Sequence, residues 1–171
     1  MTPWNISLPN QRPLRALGEE ANGQRRSIVH VTEPEEIVIR RFLPAPRERV
    51  FAAWLDPLSL ARWMHPGGEA TATAEVDARV GGRFRIVMKH SGGVTEHSGE
   101  YLVIERPARL SFTWISEHTH QIPTQVTVEC FERDQGTELV LTHRRLPASK
   151  IEGHRRGWTT ILQNLERVLG A

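Results

Sequence analysis

Residues 80–114 read VGGRFRIVMKHSGGVTEHSGEYLVIERPARLSFTW, and this stretch decides the fold. Three runs rich in β-branched and aromatic residues, Gly82 to His90, Thr95 to Glu105 and Ala108 to Ser116, are set off by Val80-Gly81-Gly82, Ser91-Gly92-Gly93 and Arg106-Pro107-Ala108. Short Gly- and Pro-bearing signals of this kind join antiparallel neighbours. Working outward, Ala70 to Val76 precedes this core, while Thr124 to Arg133 and Thr137 to Arg145 follow it, joined by Asp134-Gln135-Gly136. The pattern predicts a six-strand antiparallel meander.

The flanks add one strand and three helices. Glu36 to Leu43 is a β-favouring run closed by Pro44 and Pro46. Pro46 suits the first turn of a helix, and Val50, Phe51, Ala53 and Trp54 recur at helical spacing. At Asp56-Pro57 the Asp can cap a second short helix bearing Leu58, Leu60, Ala61 and Trp63. Residues 149–169 form the longest helical pattern, with Ile151, Trp158, Ile161, Leu162, Leu165, Val168 and Leu169 on one face. The order is α+β: a seven-stranded antiparallel sheet, two short helices after the first strand, and a long C-terminal helix that needs a surface to lie on.

Composition narrows the class. With 171 residues, 39% hydrophobic and 25% charged, the chain suits one domain with a sizeable core, which excludes a fibrous or wholly disordered protein. Lys plus Arg number 22 against 20 for Asp plus Glu, and Arg pairs at 40–41, 144–145 and 155–156 are interleaved with Glu, so no nucleic-acid footprint emerges. The lone Cys130 excludes an internal disulfide and a multi-thiolate zinc site, and reads as a small apolar filler. The longest apolar run, Val50 to Leu55, is too short to cross a bilayer, and Met1 to Asn10 lacks the charged start of a signal peptide. The expectation is a soluble cytoplasmic protein, monomer or homodimer, with no membrane or nucleic-acid partner and no cofactor. Residues 1–34 carry Pro3, Pro9, Pro13, Pro34, Gly18 and Gly23 and read as an irregular extension; the domain spans 35–171.

Strand alternation places Phe84, Ile86 and Met88, Tyr101 and Val103, Phe112 and Trp114, Val126, Val128 and Cys130, and Leu139, Leu141 and His143 on the inner face. Trp114 and Trp158 fit core and cavity wall equally well. Gly153 and Gly157 lie one turn apart on the last helix, where each costs about 1 kcal/mol against Ala. Close packing of helix on sheet around Trp158 is the reading favoured there, with a widened ligand entrance as its alternative. His118 and His120 could face one side of an extended segment, yet no third ligand stands near, so they read as loop histidines and no metal site is expected. The Gly-Gly pairs lie in hairpins without a following Lys, which excludes a phosphate loop, and no Gly-x-Ser-x-Gly elbow appears.

These residues resemble the helix-grip, START/Bet v 1-like superfamily, and within it the domain family named after the C-terminal domain of the activator of Hsp90 ATPase. The carriers are Arg40-Arg41-Phe42 with Ala45-Pro46, Val50-Phe51-Ala52-Ala53-Trp54, Asp56-Pro57 and Leu60-Ala61-Arg62-Trp63. Further carriers are Gly81-Gly82-Arg83-Phe84, Gly99-Glu100-Tyr101, Leu110-Ser111-Phe112-Thr113-Trp114, Gly136-Thr137-Glu138-Leu139, and His154 with Gly157-Trp158. After Trp63 the family usually runs aromatic, Gly, Pro, whereas this chain has Met64-His65-Pro66-Gly67, a segment that tends to border the cavity mouth.

The resemblance implies a sheet wrapped on the C-terminal helix, a small hydrophobic or amphipathic ligand between them, and a link to the stress response. The lining expected is Met64, Phe84, Met88, Tyr101, Phe112, Trp114, Val128, His143, Trp158 and Ile161. Two other classes follow from relatives. One is an activator of an Hsp90-type chaperone, ranked lower because the 34 residues ahead of the domain are too few for the separate N-terminal domain of the animal and yeast co-chaperone. The other is a cyclase- or lyase-type enzyme, for which His90, His97 and His143 are the residues to nominate.

Overall fold

The computed structural model describes residues 36–171; the expected irregular extension over residues 1–34 lies outside the described residues. Seven strands form a single antiparallel sheet: β1 (Ile37–Leu43), β2 (Thr71–Val76), β3 (Arg83–His90), β4 (Gly93–Glu105), β5 (Arg109–Trp114), β6 (Thr124–Arg133) and β7 (Gly136–Arg144). Their order is β1-β7-β6-β5-β4-β3-β2, which is the predicted meander with the first strand returning to pair with the last. Helices α1 (Arg47–Ala53) and α2 (Pro57–Trp63) follow β1, and α3 (Ile151–Leu169) closes the chain after a single 3-10 turn at Ala148–Lys150. This is the helix-grip arrangement.

Local chemistry accounts for the boundaries. Asp56 Oδ2 accepts from the Ser59 N–H at 2.7 Å, with Pro57 in the first turn of α2. Gly81 has φ +80°, a left-handed conformation that suits glycine between β2 and β3. Gly99 is required by space: a Cβ there would stand 1.9 Å from the Thr113 carbonyl and 2.6 Å from the Phe84 ring. The absence of a side chain at Gly99 lets Phe84 cross β4 and meet Phe112 edge-on at 5.4 Å.

One inward assignment fails. Tyr101 pairs with Phe112, but Val103 pairs with Ser111, so Leu102 is an extra residue and β4 changes phase there. Val103 is therefore carried off the core, and Ile104 packs against it instead. The remaining inward residues fall as expected, and burial holds the Cys130 thiol up at about 12, so it is the apolar filler its strand predicts.

The helix α3 lies on the inner face through Trp158, Ile161, Leu162, Leu165 and Leu169. Asn164, on the same face, is also buried. Its Nδ2 donates to the Trp63 carbonyl at 3.3 Å and the His65 carbonyl at 2.9 Å, tying the helix to the end of α2. Under the middle of α3 the interior is filled: Trp54 meets Trp63 at 4.7 Å and Trp158 at 6.3 Å between ring centres. The charged pairs are spread over the surface, with Arg40 and Arg133 on Glu138, Arg41 on Glu166, and Arg144 on Glu36. Among the described residues no helix is long and apolar enough to cross a membrane.

Candidate functional site

A cavity of about 1150 Å³, open to solvent, lies beneath the first turns of α3. Its floor is Met88, Trp114, Trp158 and Ile161, and one wall is the loop Pro66–Gly67–Gly68 that follows α2. The other wall is α3 itself, at Gly153 and Gly157. A Cβ on either glycine would meet no atom within 4 Å. Close helix-to-sheet packing is thus not what these glycines serve; among the described residues their side-chain positions open onto the groove.

Four of the ten expected lining residues, Met88, Trp114, Trp158 and Ile161, border this cavity. Met64, Phe84, Tyr101 and Phe112 instead surround a void of only about 10 Å³, closed by Trp54 and Leu60. They are core. The reason is Trp54: delivered by the end of α1, its indole occupies the space that a sheet-and-helix picture leaves vacant. Val128 and His143 line neither space, and His143 is fully buried.

His143 has a structural task. The Trp158 Nε1–H donates to its Nδ1 at 3.0 Å, and its Nε2 lies 2.7 Å from Thr124 Oγ1. Thr124 Oγ1 donates in turn to the Trp114 carbonyl at 2.7 Å. Because Nδ1 accepts, the proton sits on Nε2 and the ring is neutral. Burial, reinforced by neighbouring His154, pulls its pKa down to about 3. The chain of bonds clamps α3 to β5, β6 and β7 at the edge of the cavity.

His97 is the opposite case. Alternation on β4 counted back from Tyr101 gives Gly99, His97 and Thr95, so its inward aim was available from the strand pattern. It is 7% exposed, lines the cavity, and stacks on Trp114 with centres 4.4 Å apart and planes 29° from parallel. Among the described residues its Nδ1 has no hydrogen-bond partner. Burial lowers its pKa to about 3, with His118 and His154 adding to the effect.

The other cavity histidines are engaged. His90 accepts from the Gly92 N–H through Nδ1 at 3.2 Å, and its Nε2 lies 3.1 Å from Thr95 Oγ1. His154 donates from Nδ1 to the Lys150 carbonyl at 2.9 Å. His118 sits on the 3-10 turn Glu117–Thr119, held by Ser116 as its cap, with Nε2 3.8 Å from Glu117. His154, His118, Gly153 and Lys150 were not expected in the lining; they come from the start of α3 and from a loop, where neither strand period nor helix stripe points inward.

A sequence model for the family described as activator of Hsp90 ATPase homolog 1-like protein matches residues 44–170. The chain belongs to this family. Solved structures agree: a protein from Chromobacterium violaceum is 29% identical, with a TM-score of 0.73 over 80% of this chain and 97% of its own. An AHSA1-like protein from Aeromonas hydrophila is 27% identical, with a TM-score of 0.69 over 80% of this chain and 92% of its own. An Hsp90 activator from Plasmodium falciparum is 29% identical, with a TM-score of 0.64 over 79% of this chain and 96% of its own. None of the curated proteins compared matches the chain. Within this AHSA1-like domain the segment Met64-His65-Pro66-Gly67 borders the cavity only through its second half: Pro66 and Gly67 line it, Met64 is core, and a Cβ on Gly67 would stand 3.1 Å from Thr160 Cγ2.

Proposed function

We propose that this AHSA1-like protein binds a small hydrophobic or amphipathic molecule in the cavity beneath the start of α3. The observation that carries the reading is the pair Gly153 and Gly157, whose missing side chains meet open space. Each glycine costs the helix about 1 kcal/mol, and no packing gain offsets it. Binding of a guest over the apolar floor offsets it instead.

The test uses the two floor tryptophans. A panel of amphipathic aromatic and aliphatic probes is expected to quench Trp fluorescence saturably and to raise the melting temperature. Gly157→Leu, which places a side chain in the opening, is expected to abolish both responses while the protein remains folded. Absence of a response across the panel, or an undiminished response in Gly157→Leu, sinks the reading.

A second reading is supported by the Plasmodium falciparum Hsp90 activator. Under it the domain binds an Hsp90-type chaperone and stimulates its ATPase. A coupled ATPase assay with gel filtration decides it: no stimulation and no co-elution dispose of it. The cyclase- or lyase-type alternative retains His97 as its remaining nominee, because His90 and His143 have both ring nitrogens engaged inside the protein.

A further inference from the structure

We propose that the ligand of this cavity is an amphipathic carboxylic acid, its carboxylate docked on His97 and its apolar part on Met88, Trp114, Trp158 and Ile161. The inference rests on the cavity reading above and names the chemistry of the guest. Two independent observations lead to it, one of hydrogen bonding and one of charge.

The first is the state of His97. Of the two imidazoles in the site that are nearly or fully buried, His143 has both nitrogens satisfied, whereas His97 has a buried Nδ1 with no partner. Buried polar groups are normally paired, so a cavity-wall imidazole whose Nδ1 finds no bond within the protein is a ring that a guest can engage from its open edge. The ring cannot turn away to solvent, because it is stacked on Trp114. A guest without a polar head leaves that ring unsatisfied. Nδ1 itself is closed off from the cavity, so the guest meets the ring through Nε2, whose N–H a carboxylate accepts from.

The second is the charge around the ring. The β3–β4 hairpin contributes Lys89 and His90, the 3-10 turn contributes His118 with Glu117 behind it, and α3 contributes Lys150, Glu152, His154 and Arg156. The loop after α2 adds Glu69. Glu152 lies 3.5 Å from Arg155 and so faces a cation of its own, while Glu117 stands 3.8 Å from the His118 ring. Lys89, Lys150 and Arg156 outnumber the acids that line the cavity, which favours an anionic head over a cationic one.

The experiment compares decanoate with 1-decanol at pH 7, followed by Trp quenching and calorimetry. Decanoate is expected to bind at least tenfold more tightly than decanol. His97→Phe keeps a ring on Trp114 but removes the nitrogens, and is expected to bring decanoate down to the affinity of decanol. His97→Gln, which restores an N–H donor, is expected to recover part of the preference. Equal binding of acid and alcohol by the unaltered protein overturns the acid-head proposal and leaves the cavity reading standing, without reliance on any variant. A preference that survives in His97→Phe also overturns it. If neither probe binds, the acid-head proposal falls and the wider probe panel decides the cavity reading.

Discussion

The indole N–H of Trp158 donates to Nδ1 of His143 at 3.0 Å, and this one contact sets the tautomer of a fully buried imidazole. It also couples helix to sheet, since the other ring nitrogen continues through Thr124 to the carbonyl of Trp114. His143→Phe preserves the ring volume but leaves the indole N–H unpaired, and is expected to destabilise by about 2 kcal/mol. His143→Ala adds a cavity and is expected to cost about 4 kcal/mol. Urea denaturation measures both; losses under about 0.5 kcal/mol in each would mean that the clamp contributes nothing.

Stability depends on pH through two imidazoles. His97 and His143 remain neutral in the folded chain down to about pH 3, whereas their ordinary value is 6.5. Between those values the unfolded chain binds more protons, so stability is full above about pH 6.5 and falls as the pH drops towards 3. The slope contributed by each ring is up to about 1.4 kcal/mol per pH unit. Urea melts at pH 7.5, 6 and 5 should show the decline, with a shallower slope in His143→Phe. A flat profile across that range contradicts the neutral-imidazole account.

Gly153 and Gly157 give a prediction of opposite sign. Both are helical, and a methyl group on either meets open space, so Gly153→Ala and Gly157→Ala are each expected to stabilise by about 0.5 to 1 kcal/mol. The double variant should melt several degrees higher by calorimetry. A loss of stability would show that the glycines answer a packing need after all.

The succession of elements was legible because each carries its own local signal: Asp56 before α2, Gly-Gly at the hairpins, the apolar stripe of α3. The displaced Val103 was not, because the extra residue at Leu102 is defined only by its pairing with β5. A glycine inside a strand or helix is ambiguous in the same way. Gly99 and Gly157 look alike as letters, yet one has a carbonyl 1.9 Å from its would-be Cβ and the other has nothing. The cavity was expected between the sheet and α3 and is found only at the start of that helix, because Trp54, from a different helix, fills the space further on. His97 could have been found by counting along β4; His154 and Lys150 depend on how the first turn of α3 is laid down, which no period records.

The unequal halves of α3 divide its labour. Beyond Ile161 the inward face is committed to the interior, where Leu162 and Leu165 are wholly buried and Asn164 is bonded to the end of α2. Upstream, Glu152, Gly153, His154, Arg156 and Gly157 line the groove, while Ile151 anchors the start of the helix against Ile37 and Leu146. Those two turns therefore behave as an exchangeable cartridge: an engineer can rewrite them to alter what the protein retains, while the downstream turns keep the scaffold assembled.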